Sequence, residues 1–172
     1  MTLNDTKMEA YKMASEHGFH DEEHSIKHYK CLIISELMEA VEADRKGRFA
    51  NPFAFVGHMH ETDFKSNFEA NIKDSVADEL ADACIRIFDL AGLKNIDLDV
   101  DVNTPKLAPT LSFTEMIFEA CQELMNYNAY TLTRTLKLIF EIAKHRDIDI
   151  KWHIEQKMRY NSTRPYKHNK QY

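Results

Sequence analysis

Two pairs of acids stand at helical spacing in otherwise apolar company. "SELMEAVEADR" (35–45) carries Glu36 and Glu39, and "DELADACIRIFDLAG" (78–92) carries Glu79 and Asp82. Side chains three apart share one helix face. On the first segment that face also holds Tyr29, Leu32, Ala40 and Ala43, so both glutamates point where apolar side chains point. On the second, Val76, Leu80, Ala83, Cys84, Ile87, Phe88, Leu90 and Ala91 spread over an apolar arc of roughly 220°, and the charged residues share the remaining stripe.

Four carboxylates gathered between two buried helices repel one another and lose hydration. An uncompensated buried charge costs several kcal/mol even after relaxation, and a divalent cation relieves both problems. An all-oxygen ligand set suits a hard ion, so Mg²⁺ is the first expectation and Mn²⁺ the second. Di-iron bundles use Glu-x-x-His pairs, and no His follows either pair at that spacing. The competing reading makes these acids solvated faces with local ion-pair partners. One ExxE alone favours it; two acidic pairs in strongly apolar helices favour a metal.

The elements that must position the acids are helices. With 4 Gly and 4 Pro in 172 residues the chain lacks the punctuation of an all-β fold. The periodicity predicts helices over 4–17, 25–46, 67–91, 113–128, 131–145 and 149–160. Ser25, and Ser112 or Thr114, are the expected N-caps, and Gly18, Gly47 and Gly92 the expected stops. Residues 47–66 read as a loop with exposed aromatics. The length fits a single domain, 1–172, and the expected fold is an all-α helical bundle.

Composition narrows the function. The formal net charge of −6 does not suit sequence-independent binding to a nucleic-acid backbone, and no stable nucleic-acid binding is expected. From 151 to 170, however, the chain carries Lys151, Lys157, Arg159, Arg164, Lys167 and Lys170. An acidic body with a basic tail suits local binding of a small anion, or a tail that folds back on the acidic site. The three cysteines, Cys31, Cys84 and Cys121, lie in separate apolar runs and read as small buried side chains in a reducing compartment. No apolar run approaches about 20 residues, and the start lacks a signal-peptide core, so the expectation is a cytoplasmic protein with no membrane partner.

Three stretches, "SELMEAVEADRKG" (35–47), "DELADACIRIFDLAG" (78–92) and "DIKWHIEQKMRYNSTRPYKHNKQY" (149–172), resemble the all-α nucleoside triphosphate pyrophosphohydrolases of the MazG-like group. They match that family's ExxE, its ExxD, and its closing lysine, asparagine and arginine. One departure is "HNK" (168–170), where relatives more often have a glycine after the histidine. The resemblance implies Mg²⁺-dependent hydrolysis of a nucleoside or deoxynucleoside triphosphate to the monophosphate and pyrophosphate, in clearing or balancing nucleotide pools. It implies that Glu36, Glu39, Glu79 and Asp82 hold the metal and that Glu36 or Glu39 positions or deprotonates the attacking water. Lys157, Asn161 and Arg164 then contact the phosphates or sugar, and the protein forms a homodimer or higher homo-oligomer. A reading of another class is a non-enzymatic helical binding module whose acidic face pairs with the basic C-terminal tail.

Other features read as structural. His20, His24 and His28 stand four apart in an acid-rich stretch and are expected on an exposed polar face. His58 and His60 read as loop residues. "DLDVDVN" (97–103) is not a calcium loop, because Val102 stands where such a loop needs glycine and Ala108 where it needs glutamate. Glu115, Glu119 and Glu123 read as a solvated face. Asp89 extends the acid stripe and is expected to pair with Arg86 or Lys157. Phe49, Phe53 and Phe55 are candidates for stacking on a base, for capping the core or for a subunit contact.

Overall fold

Among the described residues, seven of the eight α-helices begin at a Ser, Thr, Asn or Asp whose side chain accepts a hydrogen bond from the first-turn backbone. The computed structural model describes residues 2–58, 63–103, 106–126 and 128–169, with residue 169 described by its backbone alone. In order, the helices are α1 (Leu3–Glu16), α2 (Ile26–Arg45), α3 (Pro52–Gly57), α4 (Phe64–Asn71), α5 (Val76–Leu93), α6 (Phe113–Met125), α7 (Thr131–His145) and α8 (Ile150–Ser162). A 3₁₀ turn at Tyr166–Asn169 follows, and no strand occurs among the described residues. The all-α expectation therefore holds, as do the caps at Ser25 and Ser112. His60 and Lys170 lie outside the described residues.

α5 is the central element. Thirteen of its 18 residues are buried, and it packs against α1, α2, α7 and α8. α6 lies on α7 and on α2. The main core runs from Ala10 through Ile33, Leu37, Leu80, Ile87, Ile117 and Ile139 to Ile154. A second cluster joins Phe55, Phe68, Ile72 and Tyr160, with Phe64 and Trp152 against it. Among the described residues no helix is long and apolar enough to cross a membrane.

Three expectations about the chain path change. Residues 47–66 are not a continuous loop: Asn51 caps α3 with Pro52 in its first turn, and Asp63 caps α4. The helix expected over 67–91 is two helices. Asp74 between them adopts φ 59°, its N–H is held by Asp78 Oδ2 at 2.9 Å, and Ser75 caps α5 by accepting from the Asp78 N–H at 3.2 Å. Of the three loop phenylalanines, only Phe55 is buried, while Phe49 and Phe53 are exposed.

Gly92 does not stop α5, which continues to Leu93. It is instead where α1 comes closest: a Cβ there would lie 2.4 Å from Tyr11 Cβ. In an open helix, alanine is favoured over glycine by about 1 kcal/mol. Here the sign should reverse. Gly92→Ala is expected to destabilise by about 1–3 kcal/mol, as overpacking does. Gly57→Ala, with nothing within 4 Å of its added Cβ, should be neutral or better. Urea midpoints of the two variants check this, and a stabilised Gly92→Ala would contradict the close approach.

Candidate metal centre and adjoining cleft

α2 and α5 are held face to face by small and aliphatic residues, Ile33, Leu37 and Ala40 against Leu80, Ala83 and Cys84, all buried in one core. Helical spacing then turns Glu36 and Glu39 of α2 toward Glu79 of α5. One carboxylate oxygen of each lies within 4.8 Å of the others. Glu36 and Glu79 are buried and Glu39 is exposed, so the cluster opens on one side. Mg²⁺ binds oxygen at about 2.0–2.1 Å, so oxygens across such an ion stand about 4.2 Å apart. The spacing of the three glutamates fits a small hard cation after slight side-chain movement.

The charge state of the cluster supports this fit. Burial, reinforced by neighbouring Asp78, pushes the Glu79 carboxyl up to about 8. Burial also raises Glu36, opposed by Arg86, whose Nε donates to Glu36 Oε1 at 2.5 Å. Without a cation, then, Glu79 holds a proton that an unburied carboxyl would have lost.

Asp82 lies outside this trio. Its Oδ2 is 2.8 Å from Lys157 Nζ of α8, and its Oδ1 accepts a 3.4 Å bond from Asn161 Nδ2. Burial disfavours its charge, but Lys157 more than offsets this and holds the carboxyl below its usual range. Lys157 also donates to Asp78 Oδ2 at 2.7 Å, with only 5% of its side chain exposed. Burial raises Asp78 to about 6, against the pull of Lys157. The basic tail thus does fold back on the acidic helix, through a lysine shared by two aspartates. Asp78 was visible in the acid stripe but not singled out. Its signal is the four-residue spacing to Asp82, which puts both on one face before a single cation.

A cleft adjoins the cluster. Asp82, Arg86 and Asp89 of α5 line it along one wall, with Asn161 of α8 and Arg164 just after it, and with His24 just before α2 and His28 and Tyr29 from its first turn. Of the residues expected to contact substrate, Asn161 and Arg164 reach this cleft; Lys157 does not line it. The segment after α8 crosses the cleft edge, where the Lys167 N–H donates to the His17 carbonyl at 2.8 Å and the Tyr166 ring leaves no room for a Cβ on Gly18.

No protein-family model, no curated protein and no solved structure matches the chain.

Several outlying expectations are corrected. Asp89 pairs with neither Arg86 nor Lys157 but accepts from His20 Nε2 at 2.7 Å. His20, His24 and His28 are partly buried rather than on an exposed face. Glu123 is buried beside Arg134, Nε to Oε1 3.2 Å, because α7 covers that side of α6. Cys84 is buried, but Cys121 is only partly so and Cys31 is exposed.

Two measurements test this electrostatic arrangement. Glu79 has a folded-state pKa near 8 against 4.5 ordinarily. Its stabilising contribution is complete below pH 4.5 and is lost as pH rises through about 8, since only the folded state retains the proton. His153, pushed down to about 4 by burial, acts only below pH 6.5. Between pH 6.5 and 8 the metal-free protein should therefore lose about 2 kcal/mol, at 1.36 kcal/mol per pH unit. Glu79→Gln should flatten the slope, and equal slopes for both proteins would refute the raised pKa. Separately, Lys157→Met leaves two buried carboxylates facing each other and should destabilise by about 3–5 kcal/mol in urea unfolding.

Proposed function

We propose that this protein is a Mg²⁺-dependent hydrolase of nucleoside or deoxynucleoside triphosphates, releasing the monophosphate and pyrophosphate. The observation that carries the reading is the convergence of Glu36, Glu39 and Glu79 from two buried helices. The neighbouring cleft has acids at one side and Arg86, Asn161 and Arg164 beside them. A triphosphate needs both: cation-binding oxygens for its metal and hydrogen-bond donors for its own oxygens.

When bound, Mg²⁺ supplies neutralisation of phosphate charge and a lowered pKa for attacking water. The chain's residues divide the remaining work. Glu36 is buried and tethered by Arg86, which suits it to a fixed ligand position. Glu39 is exposed, with its Oε1 only 3.3 Å from Ser35 Oγ, which supports giving it the water. The water oxygen bonds to phosphorus as its proton passes to the carboxylate, and the bridging α–β bond breaks to release pyrophosphate. Arg164 offers a planar, bidentate donor to the phosphates. Lys157 is better read as a positioning residue, holding Asp82 and Asp78 in place. Mn²⁺ suits the same ligand set. Assembly as a homodimer or higher oligomer belongs to the same proposal, with exposed Phe49, Phe53 and Val56 offering an apolar surface.

The alternative is a non-enzymatic helical module, and the Lys157 bridge to Asp78 and Asp82 favours it, since that pairing is complete without a metal. Product analysis separates the two. Incubation with NTPs and dNTPs should yield monophosphate and pyrophosphate only with Mg²⁺. Glu79→Gln should abolish turnover while the fold persists. Arg164→Ala should weaken nucleotide binding without abolishing Mg²⁺ binding. Diphosphate and phosphate as products would place the cleavage at the wrong bond, and no turnover of any nucleotide would leave the binding module.

A further inference from the structure

The same cleft carries a second carboxylate that the proposed hydrolysis does not use. Asp89 lies seven residues after Asp82 on α5. Seven residues are two turns, about 10.5 Å along the axis and nearly the same face. That is the scale of a nucleoside between its 5′-phosphate and the far edge of its base. Asp82, Arg86 and Asp89 all line the cleft, so its wall runs from the phosphate end to Asp89.

The far end is built of rings. Tyr29 stands close enough to Asp89 for the aspartate, after burial, to be among the causes that raise its hydroxyl pKa. His24 and His28 stack with centroids 4.2 Å apart, and both contact the Tyr29 ring. His20 does not line the cleft. Its Nε2 donates to Asp89 Oδ1 at 2.7 Å, with 11% of its side chain exposed against 16% for Asp89. One oxygen of Asp89 is thereby fixed and the carboxylate oriented, with Oδ2 left as an acceptor. A carboxylate accepts hydrogen bonds and donates none.

We infer that Asp89, oriented by His20, selects a nucleobase with an exocyclic amino group over its keto counterpart. An amino group donates to the carboxylate. A keto oxygen in its place sets two acceptors against each other in a partly desolvated site, which costs more than a missing bond. Asp89 is thus a specificity residue and His20 its positioning residue. The inference rests on the nucleotide reading of the cleft but not on hydrolysis.

Calorimetric binding of nucleoside monophosphates tests it, using the full chain with Mg²⁺. CMP against UMP, and AMP against IMP, each exchange an amino group for a keto oxygen, with the adjacent ring nitrogen gaining a proton in the keto member. In the pair whose ring fits, the amino member should bind about 10- to 100-fold tighter. Asp89→Asn, whose amide also donates, should erase or reverse that ratio while CD shows the fold unchanged. His20→Ala should lower the ratio, and His20→Gln, which can still donate to Asp89, should restore part of it. The wild-type ratio needs no variant. Equal binding within both pairs, preference for the keto members, or no binding of any of the four would overturn the inference. Triphosphate hydrolysis with no amino preference would sink this inference alone. Amino preference without hydrolysis would sink the hydrolase reading and leave this one standing.

Discussion

The arrangement of the site depends on one buried ammonium. Lys157 projects from α8 onto α5 and is held by Asp78 at 2.7 Å and Asp82 at 2.8 Å. Its desolvation is severe, yet the two carboxylates hold its proton well above the ordinary lysine range. A buried pair of this kind adds little net stability over a well-packed apolar replacement. What it contributes is register. α8 can slide or rotate on α5 only by leaving charges unpaired, so the end of α8, with Asn161 and Arg164, is fixed relative to the acids of α5. The same lysine leaves Asp82 charged while Glu79, one turn earlier, is pushed the other way.

That division gives neighbouring acids different chemistry. Asp82 is neutralised by the protein itself. Glu36 is partly neutralised by Arg86. Glu79 has no basic side chain bonded to it among the described contacts, and Glu39 reaches solvent. The positive charge this group lacks is what a divalent cation would supply. On the proposed reading, the internal cations locate the metal by satisfying the acids around it and leaving Glu39 and Glu79 without a bonded basic side chain among the described contacts.

The helical architecture was legible because its signals are local. Period, caps and a shortage of glycine and proline suffice for α1, α2, α6, α7 and α8 to within a few residues. The Glu36–Glu39–Glu79 group was legible because helical spacing places residues on faces, and buried faces must meet. What was missed depends on partners distant in sequence or on short caps. The break before α5 hides in "KDSVADEL", where an apolar period runs through a Ser75 cap and a left-handed Asp74. Gly92 reads as a stop because nothing local reveals Tyr11 across from it. Asp78 and Asp89 looked like one continuous stripe, and only the third dimension assigns the first to Lys157 and the second to His20.

On the proposed reading, the two ends of the cleft share a single rigid ruler. A nucleotide reader must hold its phosphate chemistry and its base contact at a fixed separation, and a loop on either side would let that distance drift. Here both wall residues sit on α5, the most buried helix, two turns apart on one face. The helix repeat sets their separation, and α5 is packed against four other helices. On the same reading, opposing elements need only supply ligands to each end: α2 brings its glutamates beside one end and rings to the other, and α8 brings its asparagine and arginine. On this view the unusual apolarity of α5 and its acid stripe have one origin, because a measuring element must be immobile where it packs and polar only where it reads.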